Sequence, residues 1–101
     1  MTGIKAILVI NAILNKENMT EVQSYLGKIA PVFGKNGGKP IGRYITVQQM
    51  EGTDSPEIFA LIEFPNAEVI NEMINGEDFN SLAESRAKAF TKLNIMICNE
   101  M

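Results

Sequence analysis

The chain has no histidine, no tryptophan and a single cysteine, Cys98. One cysteine excludes an internal disulfide and fits a reducing compartment. Without histidine, a soft-metal site lacks its usual donors, and Cys98 lacks the base that activates a nucleophilic thiol, so it reads as a strand residue. No apolar stretch reaches the ~18 residues expected of a membrane span. The apolar run Ile7–Ile10 lacks a signal-peptide cleavage region. The nine basic residues are scattered, and the net charge is −3. A basic patch of the kind that binds nucleic acid is therefore absent. These absences predict a soluble cytoplasmic protein with no nucleic-acid or membrane partner and no bound cofactor.

The 101 residues contain no linker, repeat or low-complexity stretch, so residues 1–101 are expected to form one domain. The 46% apolar content suffices for a core, but a domain this small leaves much of its surface uncovered.

The stretch from Glu57 to Arg86 carries most of the pattern. Ile58–Phe64 is short, apolar and bounded by Pro56 and Pro65, which predicts a strand. Its two faces are Ile58, Ala60, Ile62, Phe64 and Phe59, Leu61, Glu63. Both are apolar apart from Glu63, so both need cover. Asn66 is a suitable N-cap, with Glu68 in the first turn, for a helix whose apolar stripe runs through Val69, Ile70, Met73 and Ile74. Asn75-Gly76 interrupts that helix, and Phe79, Leu82, Ala83, Ala89 and Phe90 continue the stripe with Arg86 inside it.

Elsewhere, Ile4–Leu14 is a near-continuous apolar run that reads as a buried strand, with Asn11 its one polar residue in mid-run. Asn15–Lys35 reads as a helix through Met19, Val22, Leu26, Ile29 and Phe33. Pro31 predicts a kink or an early end near Ala30, with a last turn continuing to Phe33 or Gly34. A turn cluster follows at 35–40, an extended segment at Ile41–Met50, a polar return at Glu51–Pro56 and a last strand at Leu93–Asn99. The order strand, helix, strand, strand, helix, strand matches an α+β, ferredoxin-like βαββαβ fold: a four-stranded antiparallel sheet with both helices on one face. The other face is apolar, which predicts a homodimer that packs sheet against sheet.

Four polar residues stand out. Glu63 and Arg86 sit in apolar patterns, where a lone charge is costly. A strand-to-helix ion pair between them accounts for both. In the rival reading they face a pocket, Arg86 holding a substrate carboxylate or enolate and Glu63 acting as general base. Arg43 is either a solvated strand-end charge or an anion clamp at a pocket mouth. Asn11 is either a hydrogen-bonded core amide or a donor to a ligand carbonyl. Glu51, Asp54 and Glu57 fall in a polar loop and read as solvated rather than as ligands of a hard cation. Tyr25 and Tyr44 read as edging a core.

Gly37-Gly38, Arg43, Met50-Glu51-Gly52, Ile62-Glu63-Phe64-Pro65-Asn66, Asp78-Phe79 and Arg86 together resemble the domain of unknown function 1330 family, within the dimeric α/β-barrel superfamily. The resemblance spans Val9 to Phe90. It implies the ferredoxin-like fold pairing as a dimeric α/β barrel, and it supplies no activity. The superfamily includes cofactor-independent monooxygenases, isomerases and haem-degrading enzymes. Asn11 is placed like the strand asparagine of the haem-degrading members, but those need a histidine ligand and typically a tryptophan, and this chain has neither. Two functions follow as expectations. One is a cofactor-independent isomerase or monooxygenase acting on a small, partly apolar carbonyl or carboxylate compound through Asn11, Arg43, Glu63 and Arg86. The other is a non-catalytic homodimeric binding or structural module.

Overall fold

The apolar run near the N-terminus forms strand β1, Ala6–Leu14. After a 3-10 turn at Lys16–Asn18, helix α1 spans Met19–Lys35. Strands β2, Lys39–Ile45, and β3, Ile58–Phe64, follow. The second helical region is broken into α2 (Ala67–Ile74), α3 (Glu77–Asn80) and α4 (Ala83–Ala89), and strand β4, Phe90–Asn99, completes the chain. This computed structural model describes residues 4–101. The strands lie in the order β2-β3-β1-β4, each antiparallel to its neighbours. The architecture is therefore the expected ferredoxin-like α+β sheet.

Strand alternation decides the core. Ala6, Leu8 and Ala12 of β1 and Ile62 and Phe64 of β3 are buried beneath the helices. They pack with Val22, Tyr25 and Ile29 of α1, Ile70 and Met73 of α2, and Phe79, Ala89 and Phe90. The opposite face carries Ile7, Val9, Asn11 and Ile13 of β1 beside Phe59, Leu61 and Glu63 of β3. The shortest extent is 18 Å, one layer of sheet and one of helix, so among the described residues no second layer covers that face.

Three local expectations are corrected. Helix α1 does not end early at Ala30; it continues through Pro31 to Lys35, one residue past the expected last turn. Both Pro31 and Gly27, whose carbonyl loses the proline's missing N–H, are exposed, so water can serve that carbonyl. The helix stops later. The Gly38 N–H donates to the Phe33 carbonyl at 2.8 Å and the Gly37 N–H to the Gly34 carbonyl at 3.1 Å, with Gly37 at φ +85°. That is a Schellman stop, which needs the left-handed residue that glycine supplies. The second correction is that β2 ends at Ile45 rather than Met50. Ile45 pairs with Ile58, the first residue of β3, so later residues have no partner strand. Val47 and Met50 are 95% and 84% exposed, showing that β-branched composition without a ladder does not make a strand. At its other end β2 tolerates Pro40 because it is an edge strand. The third is Phe90, which leaves the helical stripe and opens β4, packing edge-on against Tyr25 at 5.5 Å.

The start of α2 follows the sequence closely. Asn66 Oδ1 accepts from the Val69 N–H at 2.9 Å. The break at Asn75-Gly76 is held by Asn80, whose Nδ2 donates to the carbonyls of Ile74 and Gly76 at 3.0 and 2.7 Å.

Candidate functional site

A small residue on a central strand creates the site. On the helix-facing side of β3, Ala60 stands between Ile58 and Ile62, and the facing stretch of α1 contributes Gly27 and Ala30. The space they leave is a groove of about 460 Å³ between α1 and the β2–β3 edge. Leu26 and Phe33 of α1, Pro40 and Arg43 of β2 and Leu61 of β3 also line it. Arg43 is the one charged side chain on its wall. It sits opposite Ala60 in the register, and among the described residues no acidic side chain pairs with it.

A second, smaller cavity of about 80 Å³ lies deeper between sheet and helices. Its wall is almost wholly apolar and includes Leu8, Ile10, Tyr25, Phe79, Phe90 and Ile95. Leu26, Ile29, Phe33 and Ala60 line both spaces, so the cavity is a chamber that adjoins the groove.

Arg86 supports the chamber from behind. Its Nε donates to Tyr25 Oη at 2.9 Å and its Nη2 to the Phe79 carbonyl at 2.7 Å. The guanidinium also lies over the Phe79 ring, 3.8 Å from the centroid, which places a cation on the negative face of the π-system. Burial raises the Tyr25 pKa above its ordinary value, while the hydrogen bond and charge of Arg86 pull the other way. Arg86 thus fixes two rings of the chamber wall.

The four residues singled out from the sequence fall on two sides of the sheet. Arg43 and Arg86 are on the helix side, Arg43 at the groove and Arg86 behind the chamber. Glu63 and Asn11 are on the open face. The expected ion pair between Glu63 and Arg86 does not form: strand alternation turns Glu63 away from the helices, and its partner is Lys5, at 3.6 Å. Asn11 is not a core amide either. Its Oδ1 accepts from Asn94 Nδ2 of β4 at 2.9 Å, beside a polar cleft of about 340 Å³ that also includes Asp54 and Lys92.

Two contributors escaped sequence reasoning. Tyr25 and Arg86 are 61 residues apart, and no local spacing signals their contact. Glu57 accepts the Leu14 N–H at 2.9 Å and pairs with Lys16, so it ties the end of β1 to the start of β3. Those contacts lower its pKa, the Lys16 hydrogen bond first and the Leu14 N–H next. Asp54 pairs instead with Lys92 at 3.2 Å. Among the described residues no three carboxylate or thiol groups gather as a metal site would require.

Residues 6–101 match the family described as "Domain of unknown function (DUF1330)". None of the curated proteins matches the chain. Several solved structures share the fold. A protein of unknown function from Rhodopseudomonas palustris superposes with a TM-score of 0.82 at 15% identity, over 100% of this chain and 85% of that one. A dimeric protein of unknown function with a ferredoxin-like fold from Bacteroides fragilis gives 0.68 at 11% identity, over 99% of this chain and 100% of that one. A dabb family protein with a ferredoxin-like fold from Mesorhizobium loti gives 0.72 at 10% identity, over 96% and 97%.

Proposed function

The chain belongs to the DUF1330 family, which brings a fold and no reaction, and we propose from the groove that it is a homodimeric binding protein for a small, partly apolar carboxylate. One observation carries the reading: an apolar groove with a single charged group, the unpaired guanidinium of Arg43, on its wall. Sites for small molecules combine a mostly apolar wall with a few placed polar groups. A guanidinium offers a carboxylate two parallel N–H donors, and burial of the apolar remainder supplies affinity.

The dimer half of the proposal rests on the open face. Ile7, Val9, Ile13, Phe59 and Leu61 make one side of the sheet apolar, and among the described residues no second layer covers it. A second copy applied sheet to sheet would remove that area from water. The Bacteroides fragilis protein of like fold is described as dimeric.

Binding fits the geometry better than catalysis. An isomerase or monooxygenase acting on the same carbonyl or carboxylate class would need a proton acceptor at the groove. Glu63, the candidate base, stands on the opposite face beside Lys5. Tyr25, whose ring lines the chamber, turns its hydroxyl to Arg86.

Calorimetric titration with octanoate tests the reading. Arg43→Ala is expected to weaken binding about tenfold, the loss of one charge-assisted contact, and to leave the binding of octanol unchanged. Equal octanoate affinity in the two proteins, or no binding to the native one, would overturn it.

A further inference from the structure

The groove and the inner chamber together specify more than a carboxylate, and we infer that the ligand is an amphipathic monocarboxylate whose apolar end passes between Leu26, Phe33 and Ala60 into the chamber. This rests on the groove reading above and deepens it. The two spaces adjoin at those residues, and an opening between them would let a single extended molecule occupy both. Their chemistry is graded along that path. The guanidinium of Arg43 stands on the outer wall, and the chamber beyond the neck presents almost no polar atom. A chamber of this kind holds water poorly, because water needs two or more polar partners, and it accepts an apolar group instead.

The chamber also sets a limit. At about 80 Å³ it takes the end of an aliphatic chain or a small ring and no more. Its back wall cannot easily retreat, since Arg86 holds Tyr25 through the hydroxyl and Phe79 through the backbone and ring. Affinity for straight-chain carboxylates therefore rises with length until the chamber is filled and then levels off. Ala60 is the specificity-determining residue at the neck, because any larger side chain there projects into the passage.

The experiment uses the full chain with butanoate, hexanoate and octanoate. Affinity of the native protein is expected to rise about threefold to fourfold per methylene while chain is entering the chamber. Intermolecular NOEs should connect the terminal methyl of octanoate to the Phe79 and Phe90 rings. Ala60→Leu should weaken octanoate far more than butanoate, removing the gain in affinity with chain length. Carboxylates that bind with NOEs only to Ala30 and Pro40 would overturn the chamber assignment and leave the groove reading standing. A failure of every carboxylate to bind would overturn the groove reading itself. Should Ala60→Leu not fold, the NOEs of the native protein still decide.

Discussion

Arg86 donates from Nε to the hydroxyl of Tyr25 at 2.9 Å, joining α4 to the middle of α1. The residue most naturally read as the partner of a buried carboxylate instead holds an aromatic wall. That relationship makes Arg86 a residue of stability and pocket shape, and it separates its fate on mutation from that of Arg43.

Arg86→Met is expected to cost about 2–3 kcal/mol, because the Tyr25 hydroxyl and the Phe79 carbonyl lose a charged donor. Arg86→Lys should recover little, since an ammonium cannot stack on Phe79 and serve both acceptors in the same plane. Chemical denaturation of both variants checks this. A fully stable Arg86→Lys would show that the charge alone matters.

Alkaline pH should unfold the protein partly through Tyr25. Its folded pKa is raised, so the unfolded state loses the phenolic proton first, from a value near 10.0. Stability is fully present below that pH and declines as pH rises toward the folded value. Tyr25→Phe should flatten the alkaline limb of a stability–pH curve measured by urea unfolding. An identical limb in the variant would contradict the assignment.

At the acid end the sign reverses for Glu57. Its folded pKa is lowered, so its contribution is present above the unfolded value of about 4.5 and is lost as pH falls through the folded one. Glu57→Gln should reduce the pH dependence of unfolding below that value, because the amide no longer titrates. A variant that follows the native curve would remove Glu57 from the account.

Gly38→Ala tests the stop of α1. A Cβ there would lie 2.7 Å from both the Phe33 carbonyl oxygen and the Phe64 ring. Phe64 is 1% exposed and has no room to move, so the expected cost is about 1–3 kcal/mol. Thermal unfolding reads it directly, and an unchanged midpoint would mean that the turn relaxes freely.

Val9→Asp would put a charge in the middle of the open apolar face. Sedimentation velocity is expected to show a monomer in place of a dimer, with circular dichroism unchanged because the substituted residue faces away from the helices. A dimer that persists would move the interface elsewhere. Glu63→Gln should leave octanoate binding by calorimetry intact, whereas lost binding would bring the open face back into the site.

Much of the fold was legible in the residues themselves. Short apolar runs set β1 and β3, the helical stripe set α1, and Asn66 with Pro65 marked the start of α2, because these signals are local and extend over several residues. The extent of β2 was not legible, since a strand lasts only as long as its partner, and that partner begins at Ile58. That α1 runs as one helix past Pro31 was legible only in part, as a last turn to Phe33 or Gly34, because its continuity depends on the exposure of Gly27 and Pro31. The sequence showed that Glu63 and Arg86 were charges within apolar patterns, but alternation assigns residues only to faces of equal standing. Which face meets the helices was decided by the packing of Leu8, Ile62 and Phe64 against α1 and α2. That choice sent Glu63 to Lys5 on the open side and left Arg86 for Tyr25 and Phe79. The groove and its chamber arise the same way: Ala60, Leu26 and Phe33 are ordinary core residues in one dimension, and only the distance between α1 and the sheet makes them the lining of both spaces.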